Sequence, residues 1–374
     1  MKQEKKNWET TKLSNPEHDS STLWKNVNSF LGWSNAGPPS QLFHNGQFEN
    51  TPAGLARTMN SFFLEKVQQL RQRIPRVDTD PLAKMREVFR DRNCTFRFKP
   101  VKQEDVLKII SGLKNSKSSG VDYINTGTLK LVAKEILPAI THIVNLSIRQ
   151  GTFPTIWKHS KVVPLLKKGD PLSAKNYRPV ALLPILSKIL EKAVFIQIVE
   201  YLDQNKLLHH NHHGSRSGFN TATALIQMYD QWTQEVDDGK MVGTMMIDLS
   251  AAFDMVDHPL LLEKLRLFGL EEEVIQWFQS YLTGRSQSVF IDGCLSPPLD
   301  IECGVPQGSI LGPLMYIIFT NEIPDLVHNH PVSYQTSDSA CSPCGSTVCY
   351  VDDGTFSVGQ KDSSILSQKV SDHC

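Results

Sequence analysis

The pattern of apolar and polar residues predicts four helices in the first 202 residues, and the predicted strands follow later in the chain. Apolar residues recur every three or four positions over residues 55–70, which predicts a helix with one apolar face. This helix should end before Pro75, because the residue preceding a proline disfavours the helical conformation. Similar spacing predicts helices over residues 101–113, 129–150 and 187–202. The first helix is either a docking helix for the folded part of the chain or a helix within a connector.

The second half of the chain adds strands, and two of them carry acidic residues at one end. An apolar run over residues 241–247 predicts a strand that ends on Asp248, and a helix should begin at residues 257–259 and end at Gly269. Two β-favouring runs flank residues 352–354, which predicts a hairpin with its acids at the tip. Because strands and helices lack the regular alternation of a doubly wound sheet, the sequence predicts an α+β fold.

The charge balance restricts how the chain can contact nucleic acid. It has 374 residues, of which 39 are basic and 39 acidic, so the formal net charge is zero. Any nucleic-acid surface must therefore be a local patch. The hydrophobic share of 40% supports a sizeable core, and no apolar run reaches the roughly 18 residues that a membrane span requires. Seven cysteines, an odd number, favour a reducing, intracellular compartment over a disulfide framework.

A basic segment over residues 158–178 is the candidate for that patch. It contains one acid, Asp170, and six basic side chains: Lys158, Lys161, Lys167, Lys168, Lys175 and Arg178. Arg178 suits a bidentate contact to a triphosphate, and Lys161 with Lys167 or Lys168 would add positive charge. The alternative is that the segment is only a solvated face of the protein.

The acids that follow apolar strands are candidates for metal binding. Asp352 and Asp353 are adjacent, and burying two such charges is costly unless cations neutralise them. Hard oxygen ligands with open positions for phosphate fit Mg²⁺, with Mn²⁺ as a second possibility, and two such ions form the clamp of polymerases. The alternative is that residues 352–354 form only a tight turn, which Asp and Gly favour in any case.

Four histidines lie close together in the sequence and require a separate interpretation. They are His209, His210, His212 and His213. A zinc site would show a second ligand pair at regular spacing, and this stretch lacks one, so the sequence does not favour metal binding here.

The order of these blocks resembles the motif order of reverse transcriptases. Residues 248–254, 304–313 and 350–353 resemble motifs A, B and C of that family, and residues 161–170 and 176–179 resemble its fingers motifs. The amino acids found in these blocks, together with those of residues 117–122 and 213–223, are most similar to reverse transcriptases of non-LTR (LINE-type, jockey-like) retrotransposons. The resemblance extends from about residue 98 to residue 358.

The resemblance implies roles for individual residues of this chain. It implies that Asp248, Asp352 and Asp353 are catalytic and bind two Mg²⁺ ions, with the backbone carbonyl of Leu249 completing a site. It implies a dNTP-binding set and a template- and primer-binding set. The first set is Lys161, Lys167, Arg178, Phe253 and Gln307, and the second is Pro306, Gly308 and Tyr350. Phe253 would exclude a ribose 2′-hydroxyl by its volume, unless it is an ordinary core residue. The glycines around Gln307 would let the backbone approach the substrate closely.

The resemblance also implies an architecture and a reaction. The implied reaction is RNA-directed DNA synthesis in retrotransposition, in which a primer 3′-hydroxyl attacks the α-phosphate of a dNTP and pyrophosphate leaves. Residues 1–95 would be a mostly helical or loosely ordered leader, and residues 96–374 a right-hand polymerase domain with fingers over about 96–235 and a partial palm over about 236–374. Only 21 residues follow Asp353, so a thumb is expected to be absent from this chain. The expected partners are an RNA template, a DNA primer and dNTPs, with no membrane, in the cytoplasm and nucleus; the oligomeric state stays open.

Two other functions compete with RNA-directed DNA synthesis. The chain could be an inactive, truncated retroelement product that binds nucleic acid only weakly. It could also be an RNA-templated RNA polymerase, although Phe253 and residues 350–353 argue against that reading.

Overall fold

The structure, a computed structural model, describes residues 37–44, 46–75, 80–90, 94–167, 169–214, 216–324, 346–351 and 353–361. Predictions for Lys168 and Asp352 therefore lie outside the described residues. The described helices are α1 (Pro52–Arg73), α2 (Ala83–Phe89), α3 (Gln103–Gly112), α4 (Thr126–Leu131), α5 (Ala133–Gln150), α6 (Ile185–Gln204), α7 (Thr221–Asp237), α8 (His258–Leu267), α9 (Glu272–Leu282) and α10 (Leu311–Phe319). The described strands are β1 (Leu42–His44), β2 (Gln47–Glu49), β3 (His159–Leu166), β4 (Tyr177–Leu182), β5 (Met241–Asp248), β6 (Arg285–Ile291), β7 (Cys294–Leu295), β8 (Leu299–Ile301), β9 (Ser346–Tyr350) and β10 (Asp353–Gln360).

Helix α1 docks on the folded part of the chain, which resolves the alternative left open by its sequence. Thr51 caps the helix by accepting a hydrogen bond from the backbone N–H of Gly54 (3.2 Å). Its buried residues, among them Leu55, Met59 and Phe63, share a hydrophobic core with Val289 of β6. The predicted domain boundary near residue 95 stays a prediction, but α1 packs against strands that come after that boundary.

The first large sheet is mixed. Its strand order is β4-β3-β6-β7, with β8 also paired to β6; β3 runs parallel to β6, and the other pairs are antiparallel. Strands β3 and β4 come from the predicted fingers, whereas β6, β7 and β8 come from the segment predicted to be palm. The sheet therefore joins residues from both predicted subdomains.

The second sheet is antiparallel, with the order β5-β10-β9. Helix α7 contacts all three strands, and the indole N–H of Trp232 donates to the hydroxyl of Ser357 on β10 (2.7 Å). The predicted strand that ends on Asp248 is confirmed as β5. The predicted hairpin around residue 352 is confirmed as the β9–β10 pair.

The helices enclose the larger hydrophobic core, whose centre holds aromatic side chains. Trp277, Phe278 and Tyr281 of α9 are buried, and Trp277 contacts Phe153 with ring centroids 5.7 Å apart. Within the described residues, no helix is both long and apolar enough to span a membrane. The α+β fold class is confirmed by these sheets and packed helices.

The observed ends of helix α8 agree with the sequence prediction, whereas the helix predicted over residues 129–150 is interrupted. Asp257 caps α8 by accepting from the N–H of Leu260 (3.1 Å), and Gly269, with φ of +87°, follows the end of the helix as predicted. The single helix predicted over residues 129–150 is wrong: Val132 leaves the helical conformation and separates α4 from α5. Leu131 is 84% exposed beside the break, so the apolar spacing does not follow one continuous buried face.

Candidate functional site

Two aspartates meet where β5 ends and β10 begins. Asp248 is the last residue of β5, and it lies directly opposite Asp353, the first residue of β10. Directly opposed residues of antiparallel strands project to the same face of the sheet, with Cβ atoms about 4.5–5.5 Å apart. Both aspartates are exposed. The fold therefore brings two carboxylates that are remote in sequence to one accessible edge of a sheet.

The turn of the β9–β10 hairpin explains why Asp353 reaches this position. Tyr350 of β9 pairs with Asp353, so two residues connect the strands. The first of them, Val351, has φ of +56°, the left-handed conformation that two-residue hairpin turns require. The sequence prediction that the acids form the tip is therefore wrong for Asp353, which belongs to the strand ladder.

The donor chemistry of this edge fits a hard divalent cation. Two exposed aspartates offer oxygen atoms only, and they leave other coordination positions open to phosphate or water, as Mg²⁺ sites do. Leu249, whose carbonyl is the further predicted ligand, directly follows Asp248 and is 40% exposed. Among the described residues, no group of three or more His, Cys, Asp or Glu side chains is arranged to hold a metal. Of the three predicted carboxylate ligands, the described residues therefore contain two, Asp248 and Asp353.

The loop 304–308, which contains three of the predicted binding residues, is fixed by backbone contacts on two sides. The N–H of Gly304 donates to the carbonyl of Val256, and the N–H of Val305 to that of Phe253, both at 2.8 Å. On the other side, the N–H of Ala181 on β4 donates to the carbonyl of Gln307 (3.0 Å). The loop therefore bridges the segment after β5 and the free edge of β4.

Gly308 is needed for that second contact. It has φ of +114°, and a Cβ atom there would lie 2.4 Å from the carbonyl oxygen of Ala181. The expectation of a close backbone approach at Gly308 is right, but the described neighbour is β4 rather than a substrate.

The side chain of Gln307 binds a carboxylate that the sequence did not connect to it. Asp254 lies in a 3₁₀ helix (Ala252–Met255) after β5, and both of its carboxylate oxygens accept from Nε2 of Gln307, at 2.9 and 2.8 Å. Burial raises the pKa of Asp254 to about 6. The sequence analysis missed this pair because Asp254 and Gln307 are far apart in the chain and follow no spacing rule.

Asp254 and Gln307 line a cavity of about 440 Å³ between α1, the β3–β4 strands and the loop 304–308. Pro179 and Ala181 line it from β4. Because side chains alternate along a strand, Arg178 projects to the opposite face of β4. Arg178 and Gln307, both predicted to bind dNTP, therefore approach β4 from different sides.

The basic side chains of residues 158–178 differ in their exposure to solvent. Lys161 is only 8% exposed, and its ammonium group lies over the ring of Phe290, 4.7 Å from the centroid, and over Tyr123 at 5.4 Å. Arg178 is exposed, and the strand register directs it to the same face of the sheet as Lys161. Lys167 is fixed through its backbone N–H, which donates to Asn176 (2.8 Å).

Phe253 contacts the protein core. Its ring stacks on Tyr316 of α10, with centroids 4.8 Å apart and planes at 26°, and Tyr316 is 2% exposed. This contact supports the alternative that Phe253 is an ordinary residue of the hydrophobic core. Its predicted role in sugar selection stays a prediction, because the ring is only partly buried.

Three of the four clustered histidines form hydrogen bonds through their rings, and Nδ1 of His209 accepts from the backbone N–H of Asn211 (3.1 Å). A ring nitrogen of His212 contacts the carbonyl of Thr320 (3.2 Å), and one of His213 contacts the side-chain oxygen of Gln227 (2.7 Å). Burial lowers the pKa of His212 to about 4. The backbone N–H of His213 also donates to Cys349 on β9 (2.8 Å), so this stretch connects α7, α10 and the second sheet.

Comparisons with known proteins agree with the motif order. The model of the family described as reverse transcriptase (RNA-dependent DNA polymerase) matches residues 165–373, more than half of the chain. The RNA-directed DNA polymerase from mobile element jockey of Drosophila funebris is 30% identical over 84% of this chain and 34% of its own length. The Drosophila melanogaster protein of the same name is 29% identical over 84% of this chain and 34% of its own length.

A third relative comes from another mobile element. The protein named "Probable RNA-directed DNA polymerase from transposon BS" of Drosophila melanogaster is 32% identical over 60% of this chain and 25% of its own length. The chain thus spans between a quarter and a third of the length of these relatives. The predicted resemblance to jockey-like polymerases is confirmed, and the chain belongs to the reverse transcriptase family.

Proposed function

We propose that this chain carries the catalytic centre of an RNA-directed DNA polymerase of a non-LTR retrotransposon. The observation that supports this most directly is the register pair of Asp248 and Asp353 at an exposed sheet edge. Its proposed reaction is the attack of a primer 3′-hydroxyl on the α-phosphate of a dNTP, with pyrophosphate leaving. Members of this family generally use divalent metal ions, and the proposed substrates are an RNA template, a DNA primer and dNTPs.

In this proposal, Asp248, Asp352 and Asp353 hold two Mg²⁺ ions, with the carbonyl of Leu249 as a further ligand. The ions, when bound, supply stabilisation of the charge that develops on the attacking and leaving oxygens. The protein contributes carboxylates that β5 and β10 hold on one face, so little reorganisation is needed when substrate arrives.

The remaining predicted residues would position the substrates. Arg178 is exposed and can contact a triphosphate bidentately, and Lys167 would add a second cation. Phe253 would limit the space beside the sugar. Pro306, Gln307 and Gly308 would orient template and incoming base, together with Tyr350 next to the acids. Positioning of this kind can contribute about 7–11 kcal/mol to a reaction between well-oriented groups.

Extension of a primed RNA template with dNTPs and Mg²⁺ tests the proposal. The informative variant is Asp248→Asn, which keeps the size of the side chain and removes its charge. The matched control is Asp292→Asn, since Asp292 is exposed in the β6–β7 turn and its φ of +44° suits asparagine equally well. We expect extension by the wild type and the control and at least a hundredfold loss in Asp248→Asn, as for removal of one strong electrostatic group from a transition state.

The competing proposal, an inactive chain that only binds nucleic acid, predicts a different result. It predicts salt-sensitive binding of the template–primer without extension, and equal binding by wild type and Asp248→Asn. Absence of extension by the wild type under conditions in which it binds the primed template would favour that alternative.

A further inference from the structure

Asp254 is a charged side chain for which the proposed reaction has no role, yet it binds the most polar residue of the loop 304–308. We propose that Asp254 is a positioning residue that holds the amide of Gln307 in one orientation for substrate binding. The inference rests on the proposed polymerase function and assigns a task to a carboxylate outside the proposed metal ligands. It is carried by the two hydrogen bonds from Nε2 of Gln307 to the carboxylate, at 2.9 and 2.8 Å.

The chemistry of the pair fixes the direction of the amide. An ionised carboxylate only accepts hydrogen bonds, so it attracts the NH₂ end of Gln307 and repels its carbonyl end. Nε2 and Oε1 are the two branches of the terminal amide, so Oε1 faces away from Asp254 when Nε2 binds it, and Gln307 lines the cavity in which a substrate donor would meet it. Without Asp254, a terminal amide turns between its two orientations, and a substrate donor would meet the NH₂ group in part of the molecules.

The backbone holds the two partners at a fixed separation. The carbonyl of Asp254 accepts a contact from Sγ of Cys303 (3.4 Å), and a Cβ atom at Gly304 would lie 2.7 Å from the Cα atom of Asp254. Gly304 itself has φ of +83°. The loop and the 3₁₀ helix are thus in direct backbone contact beside the side-chain pair, so the bonds between Asp254 and Gln307 need no rearrangement to form.

Burial opposes the ionised form of Asp254, and two neighbouring groups favour it. Lys66 of α1 exerts an attractive field on the carboxylate, and the hydrogen bonds from Gln307 favour its charge, whereas burial opposes it. Other charged groups that line the same cavity are Arg71, Arg285, Asp300 and Glu302. Helix α1 therefore contributes a charge to the environment of this pair.

The inference predicts a specific kinetic effect. Without Asp254, the side-chain torsions and the terminal amide of Gln307 are all free to turn, so its acceptor should be correctly placed in about a tenth of the molecules. The apparent substrate affinity falls by that fraction while the bound complex reacts normally. We expect Asp254→Ala to raise the KM for dNTP about tenfold, in line with the loss of charge-assisted hydrogen bonds, and to change kcat less than twofold.

A double-mutant cycle separates positioning from simple structural support. Primer extension by the full chain is compared for wild type, Asp254→Ala, Gln307→Ala and the double variant, with Asp257→Ala as the control acid three residues later. Asp257 caps α8 and pairs with Arg71 (3.2 Å). Asp254→Ala should add less than twofold to KM once Gln307 is alanine, and Asp257→Ala should leave the KM for dNTP unchanged. Equal effects of Asp254→Ala in both backgrounds, or a fall in kcat alone, would overturn the inference.

A second measurement does not need catalysis. In protein labelled with ¹⁵N-glutamine, the side-chain amide of Gln307 is identified by its absence from the Gln307→Ala spectrum. Its protons should exchange at least tenfold more slowly than those of exposed glutamines, and Asp254→Ala should remove this protection. Fast exchange in the wild type would overturn the inference. Protection without primer extension would uphold the pairing and reject the proposed polymerase function.

Discussion

Removal of the carboxylate of Glu191 should destabilise the helical core. Glu191, on α6, is 0% exposed, and its Oε2 accepts from the backbone N–H groups of Ile310 (2.7 Å) and Leu311 (3.3 Å). Its Oε1 accepts from the hydroxyl of Ser187 (2.6 Å). The first N–H groups of a helix have no partner within the helix, so Glu191 satisfies two groups at the start of α10. Its negative charge also lies at the positive end of the helix dipole.

The magnitude follows from what Glu191→Ala would leave behind. Each buried N–H group without a partner costs about 1–3 kcal/mol, and the lost interaction with the helix dipole adds about 0.5–1 kcal/mol. We therefore expect a loss of about 3–5 kcal/mol in the free energy of unfolding, the range found when one partner of a buried charged network is removed. Glu191→Gln keeps one acceptor and should lose about half as much. Ser187→Ala removes one hydrogen bond and should cost about 1 kcal/mol.

Urea denaturation followed by tryptophan fluorescence measures these differences, because Trp277 is buried in the same core. Hydrogen exchange provides a local reading: the amide protons of Ile310 and Leu311 should lose protection in Glu191→Ala and keep it in Ser187→Ala. A Glu191→Ala variant within 1 kcal/mol of the wild type, with those amides still protected, would refute the reasoning.

Two further predictions concern single side chains. His212 has its pKa lowered to about 4 by burial, so the unfolded chain, with a histidine pKa near 6.5, binds more protons between pH 4 and 6.5, and this contribution to stability is lost as the pH falls. Between pH 7 and 5, the wild type should lose about 2 kcal/mol more than His212→Gln in urea denaturation, and parallel pH profiles would contradict this. Phe253→Ala should increase the incorporation of ribonucleotides relative to deoxynucleotides about tenfold or more in primer extension, because the ring volume is removed. If the ring serves only to pack on Tyr316, the melting temperature will fall and the incorporation ratio will stay unchanged.

Features that depend on near neighbours in the chain could be predicted from the order of the amino acids. The apolar spacing located α1, the strand run located β5, and Asp257 with Gly269 marked the two ends of α8. These elements were predictable because helix and strand periods, caps and left-handed glycines act over a few residues. The motif order carried the family resemblance for a related reason, since each block is a short local string. The apolar spacing did not predict the break at Val132, because the same spacing fits one long helix or two helices with separate buried faces.

Which of these elements contact each other could be seen only in the folded protein. Asp248 faces Asp353 because the register of β5 on β10 brings them together, and β6 lies parallel to β3 although the chain passes through another sheet between them. Gln307 reaches Asp254 for the same reason. Such pairings depend on how whole faces exclude water and how long loops close, and no short stretch of sequence encodes that competition. The candidate site residues could therefore be identified from the sequence, whereas the residues they contact could be identified only from the folded structure.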